Sequence, residues 1–152
     1  MQDFSKIIFA TDFSEVSEFA FDYAFTLARK FNGRLVIMHV INEPVDLRGF
    51  YVPHISFDSL EHEITEAAEK MMKKFCSGRI QGFNNYETVI VSGIPYEEII
   101  RKADEEGASL IVLGTHGRAG IDHLLFGSTA ERVVRRARCA VMTVRPSVEK
   151  HE

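Results

Sequence analysis

The chain is poor in cysteine. It has two, Cys76 and Cys139, with no CxxC spacing. That excludes a disulfide scaffold and the common zinc and dithiol motifs. Cys139 opens an apolar run, where a cysteine serves as a small buried hydrophobe. Long apolar runs are missing too: LIVL, from Leu110, is far too short to cross a bilayer, so no membrane role is expected. The opening MQDFSKIIFATD reaches an acidic residue at once and lacks the long apolar centre of a secretion signal, so a reduced, cytoplasmic setting is expected. There is no basic surplus. With 18 basic and 22 acidic residues the net charge is −4, which gives no reason to expect nucleic acid as a partner. Linkers and low-complexity tracts are absent as well. At 152 residues, 45% hydrophobic and 26% charged, the chain is read as one globular domain.

What is present is alternation. KIIFAT, from Lys6, is a short apolar run of the kind covered on both faces. The following DFSEVSEFAFDYAFTLARKFNG changes period. Ala20, Tyr23, Ala24, Leu27, Ala28 and Phe31 recur at helical spacing, Ser14 is the expected N-cap, and Gly33 is expected to end the helix at positive φ. RLVIMHV is a second strand. The segment INEPVDLRGFYVPHISFD, around Pro44 to Pro53, reads as a long loop of the sort that forms lids. Leu60, Ile64, Ala67, Ala68, Met71 and Phe75 mark a second helix ending near Gly78, with the Met71–Met72 pair read as core filling. YETVIVSG is a third strand. IPYEEIIRKADEEG is a third helix, with Pro95 in its first turn and Gly107 at its end. ASLIVLG, STAERVVRRA and CAVMTVRP complete the pattern as strand, helix and strand.

Strands alternating with helices predict a single α/β, doubly wound (Rossmann-like) domain over residues 1–147. It would have a five-stranded parallel sheet of order 3-2-1-4-5, helices on both faces, and a short polar tail at 148–152. In that order the connections reverse beside strand one, and ligands bind in the crevice at such a switch point. The loops meeting there are TDFS and the stretch from Gly114 to Thr129.

No GxGxxG follows the first strand, where the chain reads Ala10-Thr11-Asp12-Phe13-Ser14, and no Walker A sequence exists. A phosphate loop, if present, follows strand four. Gly114 and Gly117 allow a sharp turn with outward N–H groups, and Gly127, Ser128 and Thr129 open a helix whose N-terminus attracts an anion. Ile121, Leu124 and Leu125 between them can bury themselves and hold the glycine segments apart. A ligand-free reading stands beside this one: Ser128 and Glu131 form a capping-box pattern, and Gly114 simply ends a strand. Thr115, His116 and Arg118 fill the loop; Arg118 is suited either to a terminal phosphate or to solvent. His116 and His123 lack a third metal ligand at convincing spacing. Arg132, Arg135, Arg136 and Arg138 complement the last helix's dipole as a solvated face.

The run Gly114-x2-Gly117-x9-Gly127-Ser128, joined to IIFATDFSE, SGIPYEEII and RRARCAVMTVRP, resembles the ATP-binding branch of the universal stress protein family over essentially the whole chain. The resemblance implies that Ala10, Thr11 and Asp12 line a nucleoside pocket, with Asp12 near the ribose or a nucleotide-borne Mg. It implies that Val40 meets adenine through its main chain, and that Gly114, Gly117, Gly127, Ser128 and Thr129 hold ribose and phosphates. The implied function is an ATP-binding (or AMP/ADP-binding) regulatory switch in a stress response. The alternatives are a slow ATPase or phosphotransferase using Asp12, His116 and Arg118, and a dimeric interaction module without a nucleotide role. A homodimer through strand five, near Val141 and Val144, is expected from its apolar edge and from the resemblance.

Overall fold

A computed structural model describes residues 3–42, 57–116 and 126–146. Its elements are β1 (Lys6–Ala10), α1 (Glu15–Lys30), β2 (Arg34–Asn42), α2 (Phe57–Cys76), β3 (Tyr86–Gly93), α3 (Pro95–Glu106), β4 (Leu110–Gly114), α4 (Ser128–Arg136) and β5 (Ala140–Val144). The strands form one parallel sheet of order β3-β2-β1-β4-β5, as the alternation predicts. Central β1 pairs with β2 from Lys6↔Arg34 to Ala10↔Met38, and with β4 from Ile7↔Leu110 to Phe9↔Val112.

The two-residue alternation of strand side chains divides the core. Ile7, Phe9, Leu35, Ile37, Leu110 and Val112 face α1 and α2 with Phe21, Phe75 and Met72. Ile8, Val36, Met38, Ile111 and Leu113 face α3 and α4 with Ile99, Ala103, Ala130 and Val133. Strands buried on both sides carry no polar face, which explains their unbroken apolar sequences. Each such fully buried side chain contributes about 1.5–3 kcal/mol.

Three local expectations hold. Ser14 caps α1 by accepting from Ser17 N at 3.3 Å, Pro95 opens α3, and Gly107 ends α3 at φ 63°. Others are corrected. The positive φ after α1 falls on Asn32 (50°), not Gly33. Gly33 is required because a Cβ there would lie 2.2 Å from the Phe4 carbonyl oxygen. Within α1 the small residues Ala20, Ala24 and Ala28 bring the helix close to the sheet, and Phe21 is the buried aromatic. Tyr23, about 200° around the helix from Phe21, is half exposed, as is Phe31. Only Met72 of the methionine pair is core. Cys139 lies at the bend before β5, half-buried, and that burial pushes its thiol up. No helix among the described residues is long and apolar enough to cross a membrane.

Candidate functional site

The path β1–α1–β2 runs one way from the centre of the sheet, and β3–α3–β4 crosses back to its other side. The crevice left beyond the C-terminal ends of β1 and β4 is a cleft of about 820 Å³, within the range of small-molecule and cofactor sites. Ten of the residues singled out in the sequence line it: Ala10, Thr11, Asp12, Val40, Gly114, Thr115, His116, Gly127, Ser128 and Thr129. Gly117, Arg118, Ile121, His123, Leu124, Leu125 and the loop with Phe50 and Tyr51 lie outside the described residues.

The β1 side of the cleft is a closely bonded turn. Buried Thr11 shares a 2.5 Å hydrogen bond with the Ser17 hydroxyl, and its Oγ1 accepts from Phe13 N at 2.9 Å. Asp12 Oδ1 accepts from Ser14 N at 3.0 Å, which fixes the carboxylate at the mouth of the cleft. Phe13 has φ 65°, a left-handed conformation that a bulky residue adopts only when its surroundings enforce it. Its ring rests on His39 (centroids 4.4 Å) and edge-on to Phe75 (6.0 Å).

On β2, the pairing sets the direction of the Val40 main chain. Thr11 N donates to Met38 O at 2.8 Å, so Met38 turns its main chain toward β1. Two residues on, Val40 turns its N–H and C=O the same way, past the end of β1 and toward the cleft.

On the β4 side, Thr115 links three segments. Its N–H donates to Val144 O at 3.1 Å, its carbonyl accepts from Gly127 N at 2.6 Å, and its hydroxyl meets His116 Nδ1 at 3.0 Å. The two ends of the glycine-rich stretch are thereby held side by side. Gly114 lies so close to α1 that a Cβ would stand 2.7 Å from Val16 Cγ1.

The capping box is not formed. Gly127 is the N-cap of α4 and no side chain caps it; Ser128 is already helical, and Glu131 pairs with Arg135 at 3.1 Å. A glycine cap offers no side-chain oxygen, so the arrangement read as a ligand-free cap is lost. The first bond of α4 is Glu131 N to Gly127 O, which leaves the N–H groups of Ser128, Thr129 and Ala130 without an acceptor inside the helix. All three residues line the cleft, where these donors and the positive end of the helix dipole suit an anion.

The cleft also has an apolar lining. Ile64, Ala67 and Met71 of α2 and Pro95 and Ile99 of α3 line the same cleft as the N–H-rich start of α4. Sequence reasoning placed Ile64, Ala67, Met71 and Pro95 on helices but gave none of them a part in the site, and it gave none to Ile99, Phe13 or His39. His39 had a signal, a polar residue inside the apolar run RLVIMHV; the conformation of Phe13 had none. Among the described residues no group of three or more His, Cys, Asp and Glu side chains is placed to hold a metal. Of the arginines on α4, Arg132 and Arg136 stack on Tyr96, each 5.1 Å from its centroid, away from the cleft.

Comparison with known proteins agrees with this geometry. The model of the universal stress protein family matches residues 3–145. The chain is 33% identical to universal stress protein YxiE of Bacillus subtilis, over 93% of this chain and 99% of that one. It is 27% identical to universal stress protein MJ0577 of Methanocaldococcus jannaschii, covering 93% and 95% of the two chains. The solved structure of MJ0577 superposes with a TM-score of 0.81 over 96% of this chain and 99% of that one, at 29% identity. A universal stress protein in complex with cAMP superposes at 0.60 over 93% and 97%, at 26% identity. The chain belongs to the universal stress protein family.

Proposed function

We propose that this chain binds an adenine nucleotide, ATP or its di- or monophosphate, in the switch-point cleft and acts as a nucleotide-dependent regulatory switch in a stress response. One observation carries the reading. Residues from three separated segments converge on one cleft that combines free helix N–H donors, a main-chain edge and apolar side chains, the three kinds of contact a nucleotide needs. The uncapped start of α4 supplies N–H donors for phosphate, and the Val40 main chain beside Ile64 and Met71 offers an amide edge and apolar walls for a base. Asp12, fixed between them, is placed for the ribose or for a Mg ion carried on the nucleotide, which would screen the phosphate charge. The cAMP complex of a related protein supports the same ligand class. Family membership supports the stress role.

Binding is favoured over turnover because no Walker lysine accompanies the glycines in the sequence. The open edge of β5 supports a homodimer that pairs two copies through this strand. Val144 is already buried within one copy, so main chain and half-buried Val141 would make the contact.

Mass spectrometry of nucleotide released from the purified protein, followed by calorimetric titration, tests the ligand. ATP and a non-hydrolysable analogue should slow hydrogen exchange equally at Ser128–Ala130, because a switch needs only differential binding. Turnover should stay below about one per minute, against roughly 10 per second for an average enzyme. No measurable affinity for ATP, ADP or AMP at millimolar concentration would refute the reading; brisk hydrolysis abolished in Asp12→Ala would establish the slow-enzyme alternative.

A further inference from the structure

The nucleotide reading gives no role to His39, a polar side chain of the cleft. His39 sits inside β2, between Met38 and Val40, in the otherwise apolar stretch from Leu35 to Ile41, and it lines the cleft. Its Nδ1 lies 2.8 Å from the Thr11 carbonyl oxygen. A carbonyl only accepts, so Nδ1 carries the proton and donates. The position of that carbonyl matters. Thr11 N still follows the β1–β2 ladder by donating to Met38 O, and in a continued parallel ladder the Thr11 carbonyl would accept next from Val40 N. The imidazole takes it instead. A side chain thus closes the ladder one step early. The chain is then released into the turn where Phe13 adopts φ 65° and stacks on the same imidazole, centroids 4.4 Å apart.

We propose that His39 is a positioning residue for the nucleotide site: by satisfying the Thr11 carbonyl and supporting the Phe13 ring, it holds the Thr11–Ser14 turn in its left-handed conformation and leaves the Val40 main chain facing the ligand. This rests on the nucleotide reading for its ligand but not for its geometry. Without the imidazole, the carbonyl would seek Val40 N–H, the turn would lose the contact that enforces an unfavourable φ, and Asp12 and Val40 would move together. Both act at the nucleoside end of the cleft. The loss should therefore be the same for AMP as for ATP, whereas damage to the α4 donors would weaken ATP more.

The test compares His39→Leu, which keeps bulk and loses the donor, with His39→Asn, whose amide nitrogen can stand near the position of Nδ1. In the ligand-free protein, hydrogen exchange at Phe13 and Ser14, whose N–H groups are bonded to Thr11 Oγ1 and Asp12 Oδ1, should accelerate about tenfold in His39→Leu and return to within about twofold of the unmodified rate in His39→Asn. Calorimetry with ATP·Mg and with AMP should show about tenfold weaker binding of both to His39→Leu, with recovery in His39→Asn. Unchanged exchange at Phe13 and Ser14 in His39→Leu overturns the inference, as does an equal loss in both variants. If the unmodified protein binds neither nucleotide, the nucleotide reading fails, and the exchange comparison alone then decides whether His39 holds the turn.

Discussion

Gly114 ends β4 at the edge of the cleft, and replacing it by alanine tests how tightly α1 is set against that edge. The added Cβ would lie 2.7 Å from Val16 Cγ1 and 3.4 Å from the Val16 carbonyl group. Comfortable carbon–carbon separation is about 3.5–4.0 Å, so roughly 1 Å must be found. Valine in a helix is nearly confined to one rotamer, so turning Cγ1 away costs about 0.5–1.5 kcal/mol, and moving the helix costs about 1–3 kcal/mol. Alanine gives back about 0.4–1 kcal/mol by restricting the unfolded chain. The balance is a loss of about 1–2 kcal/mol, or about 2–8 °C in Tm for a domain of this size. Thermal and urea melts of Gly114→Ala, Val16→Ala and the double variant measure it. The double variant should be more stable than the sum of the single losses predicts, because removing the valine methyls makes the room the new Cβ needs. A Tm for Gly114→Ala at or above the unmodified value, or strictly additive losses, would refute the packing argument.

Gly33→Ala should be more damaging, because its Cβ meets a backbone oxygen at 2.2 Å that no rotamer can move; a loss of about 3 kcal/mol and about 10 °C is expected in a thermal melt. Gly33 precedes β2, at the end of the sheet away from the cleft, so calorimetric affinity for ATP should be unchanged. For the proposed homodimer, light scattering at micromolar concentration should give twice the chain mass, and Val141→Lys, which sets like charges across the two-fold axis, should give the monomer; a monomer mass for the unmodified chain rules out pairing through β5.

Much of this architecture was legible because its causes are local and repeated. Short unbroken apolar runs such as LIVL, bounded by turn residues, suit strands covered on both faces, and their alternation with helical periods leaves few topologies. The site was legible where glycines and the turn after β1 bracket the switch point. What escaped depends on the approach of segments distant in sequence. Gly33 was assigned to the wrong cause because its constraint comes from the Phe4 carbonyl, not from its own φ. The Ser128–Glu131 pattern read as a capping box, but the helix starts one residue earlier in register, at a Gly127 held by the Thr115 carbonyl. Tyr23 has the right spacing to be buried, yet the partner ring of Phe75 stands on the other flank of α1, beside Phe21.

The unequal lengths of the central strands have a geometric consequence. β1 stops pairing at Met38, while β2 and β3 stay joined through Asn42↔Gly93. Four further residue pairs thus form a ledge about 13 Å deep at ~3.3 Å per residue. Cleft depth is in this way a matter of strand length, independent of the helices that wall it. Lengthening β2 and β3 together by two residues would deepen the ledge by about 7 Å and leave the existing pairs in register.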